Sequence, residues 1–578
     1  MLGRRIERGE GMLGRFLRLL LALLLCQILI LVFFLFFVAS ALVSRGGGGV
    51  PIVHDHSTLA IEISGELVEY PTLPSVPFLN EPPSSHMDIV DALDRAAHDT
   101  HFDSAFLELD FANLGWGMAE ELRAAIARFR TTGKHVYAFG TVLDEAAYYV
   151  AAACDSVYLP PQGKLALNGL ALGAMYFKGA FDKLGVRANT HRIGAYKSAV
   201  EPYTRANMSE PARRNAEWLL ADLWDEFRGA VARDRKLGPG AIDEVLERGT
   251  LQPEEALAAR LVDDVRYRQD LAESFETDTG ESRLVSVHDY RRTGGGLGGR
   301  PAIAVVHTVG FILSGKNGFN PALGITMGDA SVVRDLEAAV EDEDIAAIVL
   351  RIDSPGGEVF ASDAIGHAVE RAKETKPIVV SMVDVAASGG YMIAYRASRV
   401  VAAPNTITGS IGSFTGKLVL HGLYDKLGLT KDFVTRGTHP LLYSDYQDWT
   451  AAEESLIVRQ HWQDYRRWID DIAAARELEP AAVDSIARGR VWSGRQAHEL
   501  RLVDELGDLR RAVEIAADLA ELEAGAKPHL VHFPKPAGLL DLIEERRDLL
   551  SALAAHAARA ARLPAGNAWS VLDLRMAR

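Results

Sequence analysis

Three stretches of the chain carry groups able to do chemistry. The first runs Val383-Asp384-Val385-Ala386-Ala387-Ser388-Gly389-Gly390-Tyr391-Met392-Ile393-Ala394. It follows the β-branched run Ile378-Val379-Val380, which reads as a buried strand, and it ends in an apolar stretch suited to a buried helix. A serine at a strand-to-helix turn lies beside unpaired backbone N–H groups that can hold an anion, and Gly389 and Gly390 let a substrate backbone come close. The alternative is that Ser388 only caps a helix. The second stretch is Gly194-Ala195-Tyr196-Lys197-Ser198. A serine hydroxyl is a weak nucleophile until a base takes its proton, and the usual base is a histidine oriented by a carboxylate. None of the 17 histidines is near Ser388 in sequence, and Ala386 stands where a G-x-S-x-G elbow has its first glycine. A lysine can serve instead if burial keeps it neutral. Lys197 lies between Tyr196 and Ala199-Val200, with Pro202 and Tyr203 beyond, a setting that suits partial burial. A lone lysine is otherwise a solvated surface charge. The third stretch is Arg351-Ile352-Asp353-Ser354-Pro355-Gly356-Gly357. Its glycines either turn backbone N–H groups toward a carbonyl oxygen, which with the Gly389 N–H makes two oxyanion donors, or form a plain tight turn.

The elements that position these groups come from a duplication. A shift of 243 residues carries Phe181-Asp182-Lys183-Leu184-Gly185-Val186 onto Tyr424-Asp425-Lys426-Leu427-Gly428-Leu429. The same shift carries Ala105–Asp110 onto Ile348–Asp353, Val157 onto Val400, Gly169 onto Gly412 and Gly194 onto Gly437. It places Ser388 over Glu145 and Lys197 over Pro440. Each copy therefore lacks what the other keeps, and one site between two domains would use both halves. Divergence of surface positions is the plainer alternative.

Within the second copy, Ala302–Val306, Ile345–Ile352, Ile378–Met382 and Val400–Ala402 read as strands, separated by amphipathic stretches such as Ala330–Ala339 and Asp363–Lys373. Such alternation predicts an α/β fold with a mostly parallel sheet and covering helices. The expected organisation is two tandem domains, 55–285 supplying the lysine and 300–525 supplying the serine, joined by a connector at Arg292–Gly299. A tail, 527–578, reads as Pro-containing coil followed by a helix-like stretch, Leu539–Arg562.

Residues 19–43 carry no charge over about 25 positions, enough to span a bilayer as a tilted helix. Arg4, Arg5, Arg8, Arg15 and Arg18 precede it, so residues 1–18 are expected in the cytoplasm and the body on the far side. The rival reading is a cleaved signal peptide, because Ala39-Ser40-Ala41 has the form of a cleavage site. A net charge of −16 argues against a nucleic-acid partner. The two cysteines, Cys26 and Cys154, exclude a disulfide framework and a cysteine-based metal site.

On the motifs Gly194–Pro202, Asp353-Ser354-Pro355-Gly356-Gly357, Ala387-Ser388-Gly389-Gly390-Tyr391 and Thr408-Gly409-Ser410-Ile411-Gly412-Ser413, nearly the whole chain resembles the signal peptide peptidase A family in its long two-repeat bacterial form. These are membrane-bound Ser/Lys proteases of the ClpP/crotonase-like superfamily. The resemblance implies two tandem ClpP/crotonase-like domains behind one N-terminal transmembrane helix. It implies Ser388 as nucleophile, Lys197 as general base, Ser410 orienting the lysine, and Gly357 and Gly389 as the oxyanion hole. No metal or organic cofactor is implied. It further implies a homotetramer at the bacterial inner membrane, catalytic body on the periplasmic side, degrading cleaved signal peptides and other apolar unfolded peptides through an acyl-enzyme. The competing functions are a crotonase-like acyl-CoA enzyme and a non-catalytic membrane scaffold.

Overall fold

The computed structural model describes residues 53–71, 84–238, 240–277, 280, 282–294, 301–523 and 528–535, together with three isolated helical positions, Gln27, Leu29 and Phe33. The chain divides into two compact units, one of residues 1–53 and 76–82 and the other of everything else. Apart from those three positions, the expected span 19–43 lies outside the described residues, as do most of the connector and the tail helix 539–562. Among the described residues, no helix is long and apolar enough to cross a membrane.

The larger unit is built on two α/β sheets. The first has six strands in the order Leu284–Ser286, Ser57–Glu66, Phe102–Asn113, His135–Phe139, Ser156–Leu159 and Asp264–Val265, every neighbour parallel. The second repeats that order with His529–Phe533, Ala302–Val309, Ile345–Ser354, Ile378–Ala387, Arg399–Ala402 and Glu505–Leu506, again all parallel. It adds Ile407–Gly409 beside the far half of Ile378–Ala387, and Val491–Ser493 antiparallel to that. The predicted strands of the second copy are all present, and its two predicted helices are Asp329–Glu341 and Val359–Lys373. One expectation is corrected. The coil expected after residue 527 holds the strand His529–Phe533, the outermost of the second sheet, flanked by Pro528 and Pro534.

Burial explains why these strands read as unbroken apolar runs. Helices cover both faces of a parallel sheet, so alternate residues pack into different cores. Ala304, Val306, Ile348, Leu350, Val380 and Met382 enter the core that contains Ile365 and Val369 of helix 359–373. Ile303, Val305, Val349 and Val379 enter another, with Ile515 and Ala516 of helix Leu509–Leu519 and with Met87 from the first repeat.

Polar groups also tie the repeats together. Arg351, fully buried on strand 345–354, donates from Nε to Glu69 (2.7 Å) and in a fork from Nη1 and Nη2 to Glu121 (2.7 and 2.6 Å), with Ser381 Oγ at 2.8 Å from Nη1. Burial alone would raise the Glu69 pKa, but the Arg351 and His86 charges overcome it and hold that carboxyl well below its usual range. Asp384, four residues before Ser388, accepts from the Met118 N–H (2.9 Å) at the start of helix Trp116–Thr131. The N-cap of that helix is Gly115, which offers no side chain, so a carboxylate of the second repeat satisfies a first-repeat helix end.

Candidate active site

Ser388 separates strand Ile378–Ala387 from the six-residue helix Gly389–Ala394. Its φ is +57° and its ψ −115°, a conformation costly for a residue with a Cβ. Its side chain makes no capping hydrogen bond, so helix capping does not account for a serine there. The turn is held by the Ser388 N–H, which donates to Gly409 O at 2.8 Å.

Lys197 comes from the other repeat. The strand that leads to it, Arg187–Arg192, lies outside the six-stranded sheet and pairs antiparallel with Phe414–Val419 of the second repeat, Arg192 opposite Phe414. The Ile193 N–H then donates to Ser413 O (2.9 Å), and the chain turns at Gly194 to aim the lysine at the serine. Lys197 Nζ lies 2.9 Å from Ser388 Oγ, 2.9 Å from Ser410 O and 3.0 Å from Ser410 Oγ. The lysine is 5% exposed, and burial pulls its pKa down to about 7. Burial is the cause of that shift, and among the described residues no carboxylate pairs with the amine. Ser410 itself sits at φ +50°, with its N–H donating to Arg490 O at 2.6 Å.

The loop Ser354–Gly357 packs over the nucleophile turn. Ile312 N–H donates to Gly356 O (3.0 Å) and Glu358 N–H to Ile312 O (2.9 Å), a bridge that turns the intervening Gly357 N–H to the opposite side. A Cβ on Gly356 would come within 2.6 Å of Gly389 N, and one on Gly389 within 3.1 Å of Gly357 N and 2.4 Å of Ser362 Oγ on the following helix, so the close approach here needs glycine. Two N–H groups, Gly357 and Gly389, thus lie together beside the serine. Below them Asp353 accepts from the Val385 N–H (3.1 Å). Burial and the nearby Asp384 push the Asp353 pKa up to about 8.

The five residues expected at the site, Ser388, Lys197, Ser410, Gly357 and Gly389, are therefore all brought together. The corresponding position in the first repeat, Glu145, accepts from the Gly169 N–H at 2.6 Å. Among the described residues, no group of side chains is arranged to hold a metal ion. Reading the sequence missed the turn Ala487–Arg490, which contacts both Lys197 and Ser410. It also missed the partners of Arg351.

Family comparison agrees with a duplicated hydrolase. The profile of peptidase family S49 matches twice, over residues 128–281 and 370–523. The chain belongs to peptidase family S49. Protease 4 of Salmonella typhi is 34% identical over 478 residues, covering 80% of this chain and 75% of the relative. A chloroplastic serine protease SPPA of Arabidopsis thaliana is 31% identical over 454 residues, 77% of this chain and 67% of the relative. Protease 4 of Haemophilus influenzae is 32% identical over 457 residues, 75% and 73% of the two chains. This S49 peptidase is a serine protease of the signal peptide peptidase A type, and the resemblance read from the motifs holds at that level.

Proposed function

We propose that this S49 peptidase is a membrane-anchored endopeptidase with a Ser388/Lys197 dyad, acting on apolar, unfolded peptides such as cleaved signal peptides. The observation that carries this reading is the 2.9 Å contact between a buried lysine, with no carboxylate partner among the described residues, and a serine at a strained turn. A neutral amine has two N–H groups and one lone pair. Two N–H groups donated to Ser410 O and Ser410 Oγ leave the lone pair facing Ser388 Oγ.

The chemistry follows from that arrangement. Lys197 takes the Ser388 proton as Oγ bonds to the scissile carbonyl carbon, and the carbonyl electron pair moves onto oxygen. The Gly357 and Gly389 N–H groups stabilise the oxyanion. As the C–N bond breaks, the Lys197 ammonium returns its proton to the leaving amine. Water then enters and gives a proton to the same lysine as its oxygen bonds to the acyl carbon; the C–Oγ bond breaks, the lysine returns the proton to Ser388 Oγ, and the acid is released. No step calls for a metal or an organic cofactor.

Anchoring through residues 19–43, with the body on the periplasmic side of the inner membrane, rests on the uncharged run and its flanking arginines. Assembly into a homotetramer takes its number from the family resemblance, and the repeat offers a surface for a head-to-tail contact. Strands 187–192 and 414–419 pair within the chain, whereas their counterparts at the 243-residue shift, 430–435 and 171–176, are mostly exposed and form no strand pair. Met175 is 72% and Val434 96% exposed. Pairing 171–176 of one copy with 430–435 of the next is a head-to-tail contact, the kind that closes into a ring. Sedimentation of the detergent-solubilised protein should give a single species four chains in mass; a monomer would contradict the assembly.

The activity is tested by incubating the full chain with a synthetic signal peptide. Wild type should cleave it internally, while Ser388→Ala and Lys197→Ala lower the rate by at least about 1,000-fold with the fold intact. Cleavage retained in either variant would remove the dyad.

A further inference from the structure

We propose that the turn Ala487–Arg490 of the second repeat sets the position of the Lys197 amine, with Gly489 and Arg490 as positioning residues. The proposal rests on the reading of Lys197 as general base. Three chain segments meet at this turn. The Tyr196 N–H, next to the lysine, donates to Arg488 O (3.1 Å). The Gly489 N–H donates to Ile411 O (2.7 Å), and Arg490 O accepts from the Ser410 N–H (2.6 Å). The lysine loop and the serine that holds the lysine are therefore hung from the 488–489 and 490–491 peptide groups of one turn, although they come from different repeats.

The turn is specified by backbone conformation. Arg488 and Gly489 both have positive φ, +58° and +82°. At Gly489 a Cβ would lie 2.4 Å from the Lys197 nitrogen and 2.6 Å from its Cα, so any larger residue pushes the lysine backbone away. Arg490 covers the other side. Its guanidinium sits 4.3 Å from the centre of the Tyr196 ring, Nη2 donates to Tyr196 Oη (3.1 Å), and Nη1 donates to Ser485 O (2.7 Å). The strand that follows is fixed to the first repeat by Asn215, whose amide donates to Val491 O (3.2 Å) and accepts from the Val491 N–H (3.1 Å). The turn thus grips the lysine loop and is itself gripped by a first-repeat helix. What it controls is a sub-ångström matter: a reacting group displaced by about 1 Å loses roughly 100-fold in rate.

The test uses Gly489→Ala and Arg490→Met in the full chain, with kcat, KM and the pH dependence of kcat for a peptide substrate. A displaced amine is further from Ser388 and better hydrated. Both variants should therefore lose kcat, by about 10- to 100-fold for Gly489→Ala and less for Arg490→Met, with KM within about twofold of wild type. The pH midpoint of kcat should move upward in each. A folded Gly489→Ala with the wild-type kcat and midpoint overturns the proposal, and so does a loss of kcat with the midpoint unmoved in both variants. Lys197→Ala, assayed alongside, separates the two levels. If it stays active, the base assignment itself fails; if it is inactive while the turn variants behave as wild type, only the positioning role fails.

Discussion

Lys197→Met should abolish hydrolysis and raise the stability of the fold at the same time. Methionine matches the lysine in length and carries no charge. In the unfolded chain the amine titrates near 10.5; in the fold, burial brings it to about 7. The unfolded state therefore binds more protons between those values, and wild-type stability rises with pH across that window. Below pH 7 the ammonium is buried in full, at a cost on the order of several kcal/mol. Methionine removes that cost but leaves Ser410 and Ser388 without their partner, which offsets roughly 1–3 kcal/mol. The net gain is expected at about 1–3 kcal/mol near pH 6, shrinking as the pH rises from 7 toward 10.5. Thermal unfolding at a series of pH values reads it. A Met variant less stable than wild type below pH 7 would mean that the amine is not held against its hydration.

The opposite sign is expected at Arg351. Replacing it with methionine leaves Glu69 and Glu121 buried without the guanidinium that both accept from. Breaking a buried ion group from one side costs about 3–5 kcal/mol, because the remaining charge has no water to turn to. The cost should be largest above neutral pH and ease in acid as the buried Glu69, no longer held down by Arg351, takes up a proton. The combined variant Arg351→Met, Glu121→Leu, Glu69→Gln should recover much of the loss, since an apolar replacement of a whole group is often close to neutral. Denaturant unfolding of the single and triple variants checks both statements. Equal destabilisation in the two would assign the effect to packing alone. Because strand 345–354 runs into the Gly356-Gly357 loop, the single variant should lose activity together with stability.

The proximity of Ser388 and Lys197 was legible because duplication writes it as arithmetic. A constant shift shows which copy keeps Ser388 and which keeps Lys197 without any knowledge of the fold. The parallel strands were legible because burial on two faces requires uninterrupted apolar runs. Other parts left no such mark. Arg351 interrupts an apolar run, and its partners lie 282 and 230 residues away in the first repeat. The turn at 487–490 acts largely through peptide groups, which every sequence has, and its glycine resembles any turn glycine. Strand His529–Phe533 hid between Pro528 and Pro534; it is an edge strand, where flanking prolines cost little.

The central claim is that a neutral, buried Lys197 takes the proton of Ser388. It is tested most directly by single-turnover acylation of Ser388 with an activated ester of an apolar peptide, followed from about pH 5 to 9. The rate should rise about tenfold per pH unit in acid and level off near pH 7, where the amine loses its proton. In Lys197→Ala it should fall to a small residue with no such midpoint. A wild-type rate flat across neutrality, or the same midpoint surviving in Lys197→Ala, would contradict the assignment.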